Sequence, residues 1–249
     1  RALVLTGEGN EITIKDLTIV NNKADWVLGI TNNLTCTLDN TTIDANNFAG
    51  KYNQPLTIGS IAESGRVTLN VTNGSVIKTN DAGTAHYDII LWHPADVTVT
   101  DSKLIGWANV YVKPDAAGST INIEGSELKS QGLSGSSNSF AMITTESGQN
   151  SIVIKDTKIT SSAVEGTYQS MFNIHGQYNV LKVLGSTTYE TNDTQWGAVT
   201  FNWFDQFNNN KVYFDETAKA AFEKYFDGSN CAVISDVKDQ SVDLYPVNY

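Results

Sequence analysis

Cysteine and arginine are scarce in this chain of 249 residues, and each scarcity removes a class of explanation. Its 2 cysteines, Cys36 and Cys231, cannot form the dense disulfide framework that staples small secreted domains. On the repeat described below they lie about seven units apart, too far along a linear stack to bridge, so they read as small buried apolar residues. The arginines are Arg1 and Arg66, which leaves little material for clamps on phosphate or carboxylate. With 27 acids against 16 bases the formal charge is -11. Such a surface repels nucleic acid and anionic membranes, and disfavours acidic polysaccharides unless calcium or a local basic patch intervenes. No apolar run reaches membrane length, which gives no ground for direct membrane insertion, and no export signal is visible. The chain opens on RALVL, already strand-like, and reads as an excised piece of a longer protein. A missing signal therefore carries no information about location. Catalytic zinc spacings, a GxSxG elbow, a phosphate loop and a nucleotide fingerprint are all missing.

What is there is a phrase of six residues that returns seven times: apolar, spacer, turn-former, small, spacer, apolar. It reads IKDLTI at Ile14–Ile19, LDNTTI at Leu38–Ile43, VTNGSV at Val71–Val76 and VTDSKL at Val99–Leu104. It continues as IEGSEL at Ile123–Leu128, IKDTKI at Ile154–Ile159 and a degraded VLGSTT at Val183–Thr188. Successive copies start 24, 33, 28, 24, 31 and 29 residues apart, a mean of about 28. The third place holds Asp16, Asn40, Asn73, Asp101 and Asp156, with Gly125 and Gly185 in the other two copies. These residue types tolerate left-handed backbone angles or bond to their own chain, which suits a sharp corner repeated in every unit.

Short strands with period-2 alternation of Val, Ile and Thr flank each corner. One strand leads into the phrase, as at Val67–Val71 or Ile152–Ile154; a second follows later, as in WVLGI at Trp26–Ile30, DIILW at Asp88–Trp92 and NVYV at Asn109–Val112. Units of 20 to 50 residues that each carry several strands predict a stacked solenoid. The fold expected is an all-β, right-handed, single-stranded parallel β-helix of about eight coils, spanning residues 1–249 as one domain. At roughly 4.8 Å per coil the rod would be about 35–40 Å long. A β-sandwich also has many short strands, but its strands differ in role and do not share one phrase. The segment ETAKAAFEKYF at Glu216–Phe226 predicts a helix with Asp215 as N-cap, an apolar side of Ala221, Phe222, Tyr225 and Phe226, and Gly228 as its stop. Neither terminus offers a cap by sequence. Long polar insertions, Asn80–Tyr87 and Gly132–Ser139, break the repeat.

Candidate chemistry is thin. One corner carboxylate per coil makes a ladder, and calcium needs six to eight oxygens converging on one point. Asp88, Asp96 and Asp101 are the most crowded acids, yet Asp88 lies on the second strand while the other two flank the first, so they need not meet; calcium in a long loop stays open, and no other cofactor is implied. His86 and His93 are seven apart around one short strand, and His175 lies in NIHG at a strand end. A lyase would need a base and a cation beside a uronate, and a hydrolase a pair of carboxylates across the scissile bond. Arg66, the lysines at 78, 103, 113 and 129, and the pairs Asp88 with Asp101 or Asp205 with Asp215 satisfy neither demand by spacing. Aromatic residues give the better lead. Trp92, Trp107 and Tyr111 lie in consecutive coils, as do Trp196, Trp203, Phe204 and Phe207. Pointing Val110 and Val112 inward sends Tyr111 outward, with Trp107 on the same parity. Trp92, His93, Trp107, Tyr111 and Trp196 are thus the candidate ligand-binding residues.

The phrases VTVTDSKLIG, STINIEGSELKS and NSIVIKDTKITSS resemble the right-handed parallel β-helices of the pectate-lyase-like superfamily. RALVLTGEGNEITIKDLTIVNN is similar, more narrowly, to bacterial surface adhesins that use such a helix as a binding region. The likeness is one of coils and covers nearly the whole chain. It implies an extracellular protein attached to the bacterial cell wall, binding a host or cell-surface glycan, glycoprotein or matrix polymer without catalysis. A β-helix polysaccharide lyase or glycoside hydrolase is the alternative. The catalytic sets of those branches do not map onto this sequence; His175-Gly176 matches two residues of the hydrolase pattern and its companions are missing.

Overall fold

The computed structural model describes residues 3–21, 26–45, 54–59, 65–79, 87–131, 140–162, 169–191, 199–201, 210–222 and 233–234. Three parallel sheets wind around one apolar lumen, with 9, 8 and 7 strands. Sheet A comprises Leu3–Leu5, Trp26–Ile30, Gln54–Ile58, Tyr87–Leu91, Ala108–Val112, Phe140–Thr145, Gln169–Ile174, Val199–Phe201 and Val233–Ile234. Sheet B comprises Glu11–Lys15, Thr35–Asp39, Val67–Thr72, Ala95–Thr100, Thr120–Glu124, Ser151–Lys155, Val180–Leu184 and Lys211–Phe214. Sheet C comprises Thr18–Val20, Thr42–Asp44, Val76–Lys78, Lys103–Gly106, Glu127–Gln131, Lys158–Ser162 and Thr188–Thr191. Each strand pairs with the strand three places on, so the chain visits A, B and C once per coil; at the last coil, where a helix replaces the sheet C strand, Val199–Phe201 pairs with Val233–Ile234 two strands on. This is the right-handed parallel β-helix of about eight coils that the repeat predicts.

The six-residue phrase straddles the corner from sheet B to sheet C. Its third residue takes a positive φ in all seven copies: Asp16 53°, Asn40 49°, Asn73 56°, Asp101 49°, Gly125 60°, Asp156 49° and Gly185 62°. The left-handed residue reverses the chain sharply enough for the apolar residues on both sides to point into the lumen. Two copies differ from the sequence pattern. In VTNGSV and VLGSTT the turn holds one extra residue, so the inward residues of sheet C are Ile77 and Tyr189, not Val76 and Thr188. The last copy is thus not degraded but one residue longer. The third strand of each coil, sheet C, coincides with the tail of the phrase, and at three to five residues it is too short to show a period of its own.

In-register stacking fills the lumen with rows of like side chains. Sheet B contributes Ile12, Cys36, Leu69, Val97, Ile121 and their successors, each directly above the last. Cys36 is one rung of this row, wholly buried, and burial pushes its thiol up to about 11. It packs as the small apolar residue expected; Cys231 lies outside the described residues. Each buried Val, Leu or Ile is worth roughly 1.5–3 kcal/mol, so the lumen is the main source of stability.

Two polar ladders brace the corners. After the left-handed residue a buried hydroxyl accepts from the N–H one coil earlier: Thr41 to Ser75 at 2.9 Å, Ser102 to Ser126 at 3.1 Å, Ser126 to Thr157 at 3.4 Å and Thr157 to Thr187 at 3.3 Å. At the entry to sheet B the acceptors are mostly asparagine: Ala95 N–H donates to Ser119 at 3.2 Å, Ser119 to Asn150 at 2.9 Å, Asn150 to Asn179 at 3.0 Å and Asn179 to Asn210 at 2.8 Å. These bonds satisfy corner amides that no strand ladder can reach.

The helix is present over Glu216–Phe222, and Asp215 caps it by accepting from Ala218 N–H at 2.8 Å. Tyr225, Phe226 and Gly228 lie outside the described residues. The helix follows the last sheet B strand, where earlier coils place a sheet C strand, and Phe222 stacks on Tyr189 at 5.7 Å. It therefore covers the edge of sheet C.

Candidate functional site

Sheet A differs from the other two on its outer side. The outward row of sheet B, Thr37, Asn70, Thr98 and Asn122, is half-buried or exposed. On sheet A three of the matching residues are buried, Thr57 at 1% exposed, Ile90 at 2% and Thr144 at 7%, while Tyr111 and Asn173 in the same row are half-buried. A second packed layer therefore lies on this face, and its rings come from neighbouring coils. Tyr87 meets Tyr111 with centroids 4.8 Å apart and the edge of Trp107 at 5.6 Å, while its hydroxyl shares a 2.8 Å hydrogen bond with Thr144 Oγ1. Lys113 Nζ sits 4.0 Å from the Tyr111 centroid and 5.1 Å from that of Trp92.

Along the rim of this layer a row runs through four coils: Trp92, Lys113, Glu146 and His175. Their N–H groups bond to the strand ends one coil earlier, at Ile58 O 2.8 Å, Leu91 O 3.0 Å, Val112 O 2.8 Å and Thr145 O 2.9 Å. The neighbouring row is Tyr111, Thr144 and Asn173, in register. His175 Nε2 lies 3.0 Å from Asn173 Oδ1. The rim thus presents indole, phenol, ammonium, carboxylate, amide and imidazole at successive coil spacings of about 4.8 Å. Burial holds the Lys113 ammonium below its ordinary pKa, opposed in part by the charge of Glu146. Burial, then the Glu146 carboxylate beside it, pushes the Tyr111 hydroxyl up.

The structure separates the predicted site residues. Trp92, Tyr111 and His93 are half-buried at the rim. Tyr111 points outward as its parity requires, but Tyr87 covers one face of its ring and Lys113 sits over the ring as well. Trp107 is outward by parity yet only 7% exposed, because Tyr87 from the preceding coil closes over it. Its expected exposure is corrected accordingly. His93 packs down on Gly59, whose missing Cβ leaves the room; a Cβ there would fall 2.8 Å from His93 Cβ. Trp196 lies outside the described residues, as do His86, Trp203, Phe204, Asp205, Phe207 and the loop Gly132–Ser139. Lys113, Glu146 and Tyr87 were not singled out as ligand contacts by sequence; the signal was the alignment of successive coils, visible only with the register fixed.

The catalytic alternatives fare unevenly. Arg66 is locked by Asp96, with Nε to Oδ2 and Nη2 to Oδ1 both 2.6 Å, and also donates to Gly118 O at 3.0 Å. It clasps three coils together. Lys78 pairs with Asp44 and Lys103 with Glu127, each at 3.0 Å. Asp88 is inside the wall, Asp96 is in the clasp and Asp101 is at a corner, so the three acids do not converge. Among the described residues no group of three His, Cys, Asp or Glu side chains could hold a metal ion. Among the described residues a cation flanked by two carboxylates is likewise not assembled at the rim, where Glu146 is the carboxylate acting on Lys113. A separate open cleft of about 490 Å3 is lined by Glu8, Asn32, Asn33 and Gly65; there Asn32 Nδ2 donates to Thr6 at 3.0 Å and Asn33 Oδ1 accepts from Arg66 N–H at 2.6 Å.

The fold defines the class as a three-sheet parallel β-helix. Compared with family models, curated proteins and solved structures, the chain matches none.

Proposed function

We propose that this β-helix is a non-catalytic binding region of an extracellular bacterial surface adhesin, and that the rim of sheet A engages a host or cell-surface glycan or glycoprotein. One observation carries the reading: among the described residues one outer face of the rod, that of sheet A, carries an aromatic layer, edged by polar groups of differing chemistry in four consecutive coils. With Tyr87 and Lys113 already against Tyr111, stacking on a sugar falls to Trp92, while Lys113, Glu146, Asn173 and His175 supply hydrogen bonds. Many shallow contacts of this kind suit reversible adhesion. Among the described residues no helix is long and apolar enough to cross a membrane.

A glycan and matrix-protein array, read at pH 5 and pH 7.5, tests the proposal. Trp92→Ala and Lys113→Ala are each expected to weaken the strongest hit about tenfold, while Thr98→Ala on sheet B leaves it unchanged. An array without hits, or equal affinity for all three variants, removes the rim from consideration. Polysaccharide cleavage is the second reading, favoured by one observation: a partly desolvated Lys113 beside Tyr111, its ammonium held below its ordinary pKa by burial. Release of unsaturated or reducing ends from a bound polymer would establish it.

A further inference from the structure

Asp88 is fully buried, and so is Asn109 beside it on the next coil. Asn109 Nδ2 donates to Asp88 Oδ2 at 2.8 Å and approaches the carbonyls of Leu104 at 3.1 Å and Lys129 at 3.2 Å. Two oxygens of the pair are left over. Asp88 Oδ1 and Asn109 Oδ1 are both buried and accept no hydrogen bond from the described residues. Two orphaned acceptors in one buried pair lack a single donor, and a buried acceptor left without one bears its full desolvation penalty.

We propose that Asp88 is a neutral carboxylic acid in the folded protein at neutral pH, its proton on Oδ1 donated to Asn109 Oδ1. With the existing Nδ2 to Oδ2 bond this closes an acid–amide ring and satisfies both orphaned oxygens at once. The surroundings agree. Thr79 follows the sheet C strand Val76–Lys78, Leu104 and Gly106 come from the next one, and Lys129 contributes its carbonyl. Gly106 packs so closely that a Cβ would strike Thr79 Oγ1 and the Asp88 carboxyl. The charged side chains of those strands are engaged elsewhere, Lys78 with Asp44 and Lys103 with Glu127, and Lys129 acts here through its backbone. On its own strand Tyr87 turns its hydroxyl outward to Thr144. Burial drives the Asp88 pKa well above the ordinary carboxyl value, opposed only by hydrogen bonds from Asn109 and the Thr79 N–H, and no charge acts on it. The Thr79 contribution is minor, because that N–H is bonded to Ile105 O at 3.1 Å.

The pair has a position as well as a protonation state. Asp88 adjoins Tyr87, and Asn109 stands between Trp107 and Tyr111, so the ring anchors the aromatic layer from within. Asp88 and Asn109 are positioning residues for that layer, whatever ligand the rim takes. The folded pKa lies above the unfolded one, so the group's stabilisation is complete below the unfolded value of 3.8 and is lost as pH rises towards the folded value.

Urea unfolding of the wild type and Asp88→Asn at pH 5, 6.5 and 8, followed by tryptophan fluorescence and near-UV circular dichroism, reads this directly and needs no ligand. An Asn side chain can close the same ring as an amide pair. The expected result is a wild-type unfolding constant that rises against the variant's by up to about tenfold per pH unit. A ratio constant across the range overturns the proposal. Carboxyl carbon spectra of the wild type, labelled at aspartate, keep it testable if the variant does not fold. One aspartate should hold its protonated shift at pH 7, and a spectrum in which every aspartate has titrated by pH 5 overturns it.

Discussion

Seven left-handed residues turn the chain from sheet B to sheet C, and what replacing one costs depends on its neighbour in the adjacent coil. Gly125, at φ 60°, would place a Cβ 2.5 Å from Asp101 Oδ1, the free end of an exposed side chain that can swing aside. Gly125→Ala should cost about 1 kcal/mol, essentially the left-handed penalty. Gly106 is different. A Cβ there meets Thr79 and Asp88, both buried and unable to yield, so Gly106→Ala should cost about 3 kcal/mol by overpacking. Chemical denaturation of the two variants checks the contrast, and equal losses would refute it. The corner residues were legible in the sequence because Asp, Asn and Gly advertise a backbone angle. Gly106 was not, since its demand comes from side chains two strands away.

Between corner and corner, the elements hold register through polar ladders that leave weak traces in the sequence. Asn150 accepts from Ser119 N–H at 2.9 Å, and its own Nδ2 reaches Ser147 O and Asn179 Oδ1, each at 2.9 Å. Asn150→Ala strands a buried N–H and should destabilise by about 2–3 kcal/mol, measured by urea unfolding; Asn150→Ser, which keeps a short acceptor as at Ser119, should recover part of it. The ladder asparagines are not legible in the sequence because they precede strands at irregular spacings, where an Asn is ordinarily a loop residue. The strands themselves were legible to within a residue or two wherever Val, Ile and Thr alternate. Trp107 marks the limit of that reading: alternation gives the side of the sheet a residue faces, while Tyr87, one coil earlier, decides whether that side meets water.

For the rod as a whole, opposing carboxylates set the pH response. Asp96 is held below its usual pKa by Arg66, Asp39 by Asn73 and Lys15, and Asp156 by the Ser186 N–H. Their contribution is present above the unfolded value of 3.8 and fades as pH falls through the folded values. Asp88 runs the other way and weakens the fold as pH rises from there. A net charge of -11 adds self-repulsion at neutral pH. The melting temperature should therefore peak on the acid side, near pH 5, and fall towards pH 8, with added salt recovering part of the loss at pH 8 but little at pH 5. A calorimetric series in pH and salt would show it; a maximum at pH 8 would contradict both arguments.

The same stacking bears on how the protein ages. Along the B–C corner the order is Asp16, Asn40, Asn73, Asp101, Gly125, Asp156 and Gly185, so no two carboxylates at the third place meet in adjacent coils. Asn73 is followed by Gly74, the dipeptide most prone to spontaneous deamidation, and its Nδ2 donates to Asp39 Oδ1 at 2.8 Å. Loss of that one amide would set a new carboxylate against Asp39 and beside Asp101. The backbone N–H that must attack the amide, that of Gly74, is tied to Asp101 O at 2.8 Å. Native stacking thus slows the lesion that would undo it, and the rate at which a stored sample gains this negative charge becomes a clock for how often the third coil opens.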